Sequence, residues 1–135
     1  MLIQVKQTFR HAFSFSQAEV EQFAQISGDH NPVHLDEAYA AQTPFKRRII
    51  HGFLTGSVFS KVFGTLFPGE GTIYLRQDME FARPMFVDTP YEAVFEVVSI
   101  DREKHRAVVR TCIQDQKTGK ETIRGEAVIM HPQLF

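Results

Sequence analysis

A chain of 135 residues has the length of one domain, 1–135, and can bury roughly two-thirds of the apolar surface it exposes when unfolded, so it needs no disulfide or metal to fold. Lys and Arg number 15 against 16 Asp and Glu, a net charge of −1 with no acidic or basic tail, which argues against nucleic acid as the main partner. A single cysteine, Cys112, excludes an intrachain disulfide, no Cys/His spacing suggests zinc, and no apolar run suits a signal peptide or the ~20 residues of a membrane span; a cytoplasmic protein without a membrane partner is expected.

Residues 3–13 read as a first strand, with partial apolar alternation. Ser16 and Glu19 form an S-x-x-E capping box, and Phe15 and Val20 flank it as a hydrophobic staple. The spacing predicts a helix over 17–27, closed by Gly28 as the residue free to take positive φ. Residues 28–35, GDHNPVHL, read as a polar loop. Asp36 can cap a short helix over 37–42, which Pro44 limits.

A second, longer helix is predicted over 52–67, ending before Pro68-Gly69. Phenylalanine, leucine and valine surround nearly all of it, and Lys61 is its only charge, so it reads as buried on every side. Gly52, Gly56, Ser60 and Gly64 form a stripe of small residues along it. After Gly71 the period changes to two. Ile73, Leu75, Met79 and Phe81 alternate with polar residues, which predicts a strand with one buried face, on which Gln77 would need a partner. Strands over 89–101, 106–115 and 121–131 complete an α+β chain: four antiparallel strands in one sheet wrapped around a central helix.

Two segments carry chemistry. In Ser27-Gly28-Asp29-His30-Asn31-Pro32-Val33-His34-Leu35-Asp36, a turn separates Asp29 from His34, so both side chains can enter one cleft. A carboxylate beside an imidazole can orient and deprotonate water near neutral pH, although such residues in a loop more often cap or face solvent. In Ile49-Ile50-His51-Gly52, the start of the long helix offers free N–H groups, and Gly52 has no side chain to block a ligand carbonyl. Taken alone, these residues favour a packing glycine and a satisfied buried histidine.

Together the two segments resemble the MaoC-like (R)-specific enoyl-CoA hydratases, a hydratase/dehydratase family with a single hot-dog domain. The family signature is close to G-D-x-N-P-[LV]-H-x-D, followed by Pro-x-x-H-G or a related segment at the mouth of the central helix. This chain reads GDHNPVHLD and then RRIIHG, and the order of elements matches through GTIYLRQDMEFARPMFVDT.

The resemblance implies a hot-dog fold and hydration of trans-2-enoyl-CoA to (R)-3-hydroxyacyl-CoA. Asp29 and His34 would activate water, and the Gly52 N–H would hold the enolate oxygen. Asn31 would hold the loop or contact the pair, Asp36 would cap the next helix, and Ser60 would line the same site. Phe53, Met79 and Phe81 are acyl-pocket candidates, with Phe53, Phe63 and Met85 limiting chain length. Arg48 stands where many relatives carry proline; the Lys46-Arg47-Arg48 run is either a solvated patch or, through Arg47 and Arg48, an attractor of coenzyme A phosphates. No cofactor or metal is implied, the CoA thioester being the substrate, and a homodimer is expected. The rival readings are a hot-dog acyl-CoA thioesterase, a (3R)-hydroxyacyl-ACP dehydratase acting on a protein-borne chain, and a silent thioester-binding domain.

Overall fold

The computed structural model describes residues 2–135. In chain order the elements are β1 (Thr8–Phe13), α1 (Gln17–Ser27), α2 (Pro32–Leu35), α3 (Glu37–Ala41), α4 (Gly52–Thr65), β2 (Ile73–Gln77), β3 (Glu80–Phe81), β4 (Tyr91–Asp101), β5 (Arg106–Asp115) and β6 (Glu121–Met130). The strands form one antiparallel sheet ordered β1-β4-β5-β6-β2, with β3 also paired to β6. The α+β architecture is the expected one.

The local signals of α1 are realised atom by atom. Ser16 Oγ accepts from the Glu19 N–H at 3.2 Å, and the Ser16 N–H donates to Glu19 Oε1 at 2.9 Å. Gly28 closes the helix at φ 80°, its N–H donating to the Ala24 carbonyl. The first strand is shorter than expected. Ile3 lies outside β1, buried, with its N–H on the Leu134 carbonyl.

Strands β4, β5 and β6 alternate as a half-buried sheet must. Tyr91, Ala93, Phe95, Val97, Val109, Ile113, Ile123 and Ile129 point inward and are buried. Leu54, Val58, Phe59, Val62 and Phe63 of α4 are buried in the same core. The rings of Phe59 and Phe63 meet Phe95 edge-on, at centroid distances of 5.7 and 5.3 Å. Each such buried side chain contributes about 1.5–3 kcal/mol relative to exposure, so this layer anchors α4 and with it the site at its first turn. Exposed pairs such as Arg10–Glu92 and Arg124–Glu80 lie across neighbouring strands and add little.

Two expectations fail on the same side of the molecule. The single strand over 73–81 is two strands, β2 and β3, with a register shift between Tyr74 and Arg76 and a break around Asp78. The Asp78 carbonyl presses on Gly125 and leaves no room for a Cβ there. The Asp78 N–H donates to the Glu126 carbonyl and its carboxylate accepts the Glu126 N–H. This knot turns the chain. The expected buried face is open: Ile73, Leu75 and Phe81 are 52, 43 and 49 % exposed. The long helix is likewise not buried all round, because Phe53, Ser57, Ser60, Lys61 and Gly64 face outward and Phe53 is 70 % exposed. β2 is a sheet edge, and none of the described residues covers this surface. Gln77 does find its partner, donating to Thr111 Oγ1 at 2.9 Å.

Candidate active site

The segment read as a loop, 28–35, contains a one-turn helix. Pro32 opens α2, where a missing N–H costs nothing, and Asn31 Oδ1 accepts the Val33 N–H at 3.2 Å. Asp36 caps α3 in turn, accepting from the Tyr39 N–H. Upstream, Ser27 Oγ accepts the Asp29 N–H, and Asp29 Oδ1 accepts the Asn31 N–H at 3.2 Å. These short-range bonds bend the chain so that Asp29 and His34 both face a cleft of about 440 Å³. The cleft wall is largely apolar, with Ile49, Ile50, Phe53, Phe81, Pro84, Met85 and Ile123 among its lining.

His34 is 8 % exposed, and its Nδ1 lies 2.8 Å from the Ile49 carbonyl oxygen. A carbonyl can only accept, so Nδ1 carries the proton and Nε2 is left with a lone pair. Burial lowers the pKa of this imidazole from 6.5; the bond to Ile49 opposes that, the neighbouring His51 adds to it, and Asp29 opposes it again. Donor atoms of Asp29, His34 and His51 all lie within 4.8 Å of one another. A carboxylate and two rings at this spacing are the group among the described residues that could gather around a cation.

Gly52 begins α4 beside them. The first intrahelical bonds there reach the His51 carbonyl from Leu54 and Thr55, and the Gly52 and Phe53 N–H groups find no partner among the described residues. The Phe81 ring lies over Gly52: an added Cβ would sit 2.6 Å from ring carbon Cε1. A side chain at Gly52 would therefore have to displace the Phe81 ring, which is half-exposed.

The other expected site residues separate. Phe53, Phe81 and Met85 line the cleft with Asp29 and His34. Met79 lines an adjoining groove, its sulfur packed against Gly56. Ser60 is exposed on the outer face of α4 and does not line the cleft, because that face points away from the sheet. Phe63 is 1 % exposed in the core and does not reach the cleft either. Asn31 holds the loop as a helix cap. Arg48 is taken up by Glu37 at 3.1 Å and by the Leu35 carbonyl, and Arg47 lies over the Phe86 ring at 3.6 Å. Both border a smaller depression beside Gln17 and Phe86, not the cleft itself.

One cleft residue escaped sequence reasoning and another departs from its reading. Arg83 stands at the wall with one guanidinium nitrogen on the Glu121 carbonyl at 2.6 Å. His51 is buried as expected but not satisfied, since its Nδ1 has no hydrogen-bond partner. The HG of RRIIHG marks His51 but not its missing partner, and no spacing rule marks Arg83.

Comparison with known proteins gives a consistent outcome. A family profile described as MaoC like domain matches residues 2–119. An (R)-specific enoyl-CoA hydratase of Aeromonas caviae is 42 % identical over 130 residues, covering 96 % of each protein. A 3-hydroxybutyryl-CoA dehydratase of Methylorubrum extorquens is 39 % identical over 87 % of this chain and 74 % of its own length. Among solved structures, an (R)-hydratase from A. caviae involved in PHA biosynthesis superposes with a TM-score of 0.91 at 42 % identity, over 96 % of this chain and 98 % of that one.

Proposed function

The chain belongs to the MaoC-like family and has its hot-dog fold, and from that premise we propose that it is an (R)-specific enoyl-CoA hydratase, adding water to trans-2-enoyl-CoA to give (R)-3-hydroxyacyl-CoA. The observation that carries the reading is the meeting of Asp29 and His34 at the wall of an apolar cleft, beside the unpartnered N–H of Gly52.

Hydration of a conjugated thioester needs a base for water, an acid for C2 and a sink for charge on oxygen. Water is held between the Asp29 carboxylate and the His34 Nε2 lone pair. As its oxygen bonds to C3, its proton passes to this pair. The electron pair of the double bond moves onto the thioester oxygen, which the Gly52 N–H at the start of α4 stabilises. The proton is then delivered to C2, and the double bond has gained one water with nothing left over. Positioned acid/base groups contribute about 10²–10⁴ in rate. The lowered pKa of His34 suits the role, because the ring stays a proton acceptor at neutral pH.

Phe53, Phe81 and Met85 form the acyl wall in this reading. Arg47, exposed and held flat on Phe86, attracts the coenzyme A phosphates, whereas Arg48 serves the fold through Glu37. The open face carrying Phe53, Ile73, Leu75 and Phe81 is covered by a second copy of the chain in a homodimer. Sedimentation should then give twice the chain mass, and a monomer at every concentration would contradict it. No described helix is long and apolar enough to cross a membrane, and the cytoplasm is the proposed location.

The activity test uses crotonyl-CoA. Loss of the conjugated thioester absorbance without free thiol, and a product of R configuration, is the expected result. Release of thiol would replace the reading by a thioesterase. Turnover only of an acyl carrier protein substrate would replace it by the dehydratase.

A further inference from the structure

His51 is the residue immediately before α4, yet its side chain makes no capping bond to the helix. It turns back instead, placing Nε2 3.0 Å from the backbone carbonyl of Asp29. That carbonyl can only accept, so Nε2 carries the hydrogen and Nδ1 is the atom left buried without a partner. The ring is 2 % exposed. Its centroid lies 3.9 Å from that of His34, with the planes inclined by 31°, and 4.9 Å from that of Phe23. One side chain therefore touches the loop that carries the carboxylate, lies against the imidazole and belongs to the turn that presents the Gly52 N–H.

A buried ring nitrogen without a partner is unfavourable, and a phenylalanine here would fill the same space without it. What phenylalanine would not supply is the bond to Asp29. Without that bond, residues 28–31 would keep, among the described residues, only bonds to near neighbours in α1 and α2 and to one another.

We propose that His51 is a positioning residue for hydration, whose Nε2–H clamps the Asp29 backbone to the start of α4 while its ring fixes the plane of His34, so that carboxylate, imidazole and helix terminus meet at one water. The proposal rests on the hydratase reading for its kinetic consequences, but its geometric content does not. His51 touches no substrate in this account. It acts through Asp29 and His34, and a displacement of about 1 Å at such a pair can cost 10²-fold in rate.

The test compares three variants with the wild type, with melting temperature followed throughout. His51→Phe keeps the ring against His34 and Phe23 and loses the donor. His51→Gln places an amide N–H near the position of Nε2 and keeps it. His51→Asn stays polar but falls short of the Asp29 carbonyl, and stands in should the Phe variant fail to fold. With crotonyl-CoA, His51→Phe and His51→Asn should each lower kcat by about tenfold or more with KM changed by less than about threefold. His51→Gln should recover at least about a third of the wild-type kcat.

A second readout needs no activity. The groups facing His34 are the His51 ring, the Asp29 carboxylate and the Ile49 carbonyl. An NMR titration of the His34 ring in ligand-free protein should shift in His51→Phe, because the Asp29 loop beside it loses its tie to the start of α4. Wild-type kcat in His51→Phe, or equal losses in Phe and Gln variants with an unmoved His34 titration, would overturn the proposal. A wild type that hydrates no enoyl-CoA would overturn the hydratase reading instead, and the titration would still decide the geometry.

Discussion

The segment 28–36 and the segment 73–81 are both about nine residues long and both border the cleft, but they are held in opposite ways. In the first, the bonds that shape the backbone close within three residues, Asp29 to Ser27, Asn31 to Asp29, Val33 to Asn31 and Tyr39 to Asp36, and longer-range bonds such as His34 to Ile49 and His51 to Asp29 fasten that shape to the start of α4. In the second, the partners are remote: Asp78 with Glu126, Gln77 with Thr111, Glu80 with Arg124. The first segment carries its shape in its own residue types. The second takes its shape from β6 and leaves its apolar residues open. Reactive groups sit on the self-contained segment and wall groups on the dependent one. Activity and stability should therefore separate when each is perturbed.

The largest effect belongs to the first segment. His34→Ala should lower kcat by about 10²-fold or more while moving the melting temperature little; comparable rates would remove the imidazole from the mechanism. Gly52→Ala comes next, because its Cβ would meet the Phe81 ring. It should cost at least about tenfold in kcat, and Phe81→Ala in the same chain should restore part of the loss. An additive double variant would show that the two residues do not share the space beside the helix start.

Gly125→Ala probes the dependent segment. The Asp78 backbone has no room for the new methyl, so stability should fall by about 1–3 kcal/mol in denaturant, with kcat at low temperature near that of the wild type. An undisturbed midpoint would mean that the knot at Asp78 is looser than the contact implies.

The smallest effect is one of pH. Burial holds the His34 pKa below 6.5, so in the window beneath 6.5 the unfolded chain binds more protons there than the folded one. This contribution to stability is complete above 6.5 and is lost as pH falls through the folded value. For the same reason the acid limb of kcat/KM should lie below 6.5. A limb above 6.5 would contradict a neutral, buried ring.

The comparison also explains what could be read without coordinates. The capping box at Ser16 and Glu19, the positive φ of Gly28 and the cap at Asp36 depend on neighbours a few residues away, and all are found. Asp29, His34 and Gly52 were legible as a set because short motifs place them on one loop and one helix start. The exposure of Ile73, Leu75 and Phe53 was not legible. Alternation reports that a face is apolar, not whether this chain covers it. Met79 and Phe63 were placed by their position along apolar elements and Ser60 by resemblance, and the direction of a helix face or the break at Asp78 takes them elsewhere. His51 left no trace in periodicity, since its partners, Asp29 and His34, are joined to it only by the fold.

Asp29→Asn puts the central claim to its most direct test, because the amide keeps the shape of the side chain and an oxygen for the Asn31 N–H while removing the base. Initial rates with crotonyl-CoA and a melting curve would be taken from the same preparation. The expected result is a fall in kcat of about 10²-fold or more with an unchanged melting temperature. Wild-type turnover by that protein would show that water is activated somewhere other than between positions 29 and 34.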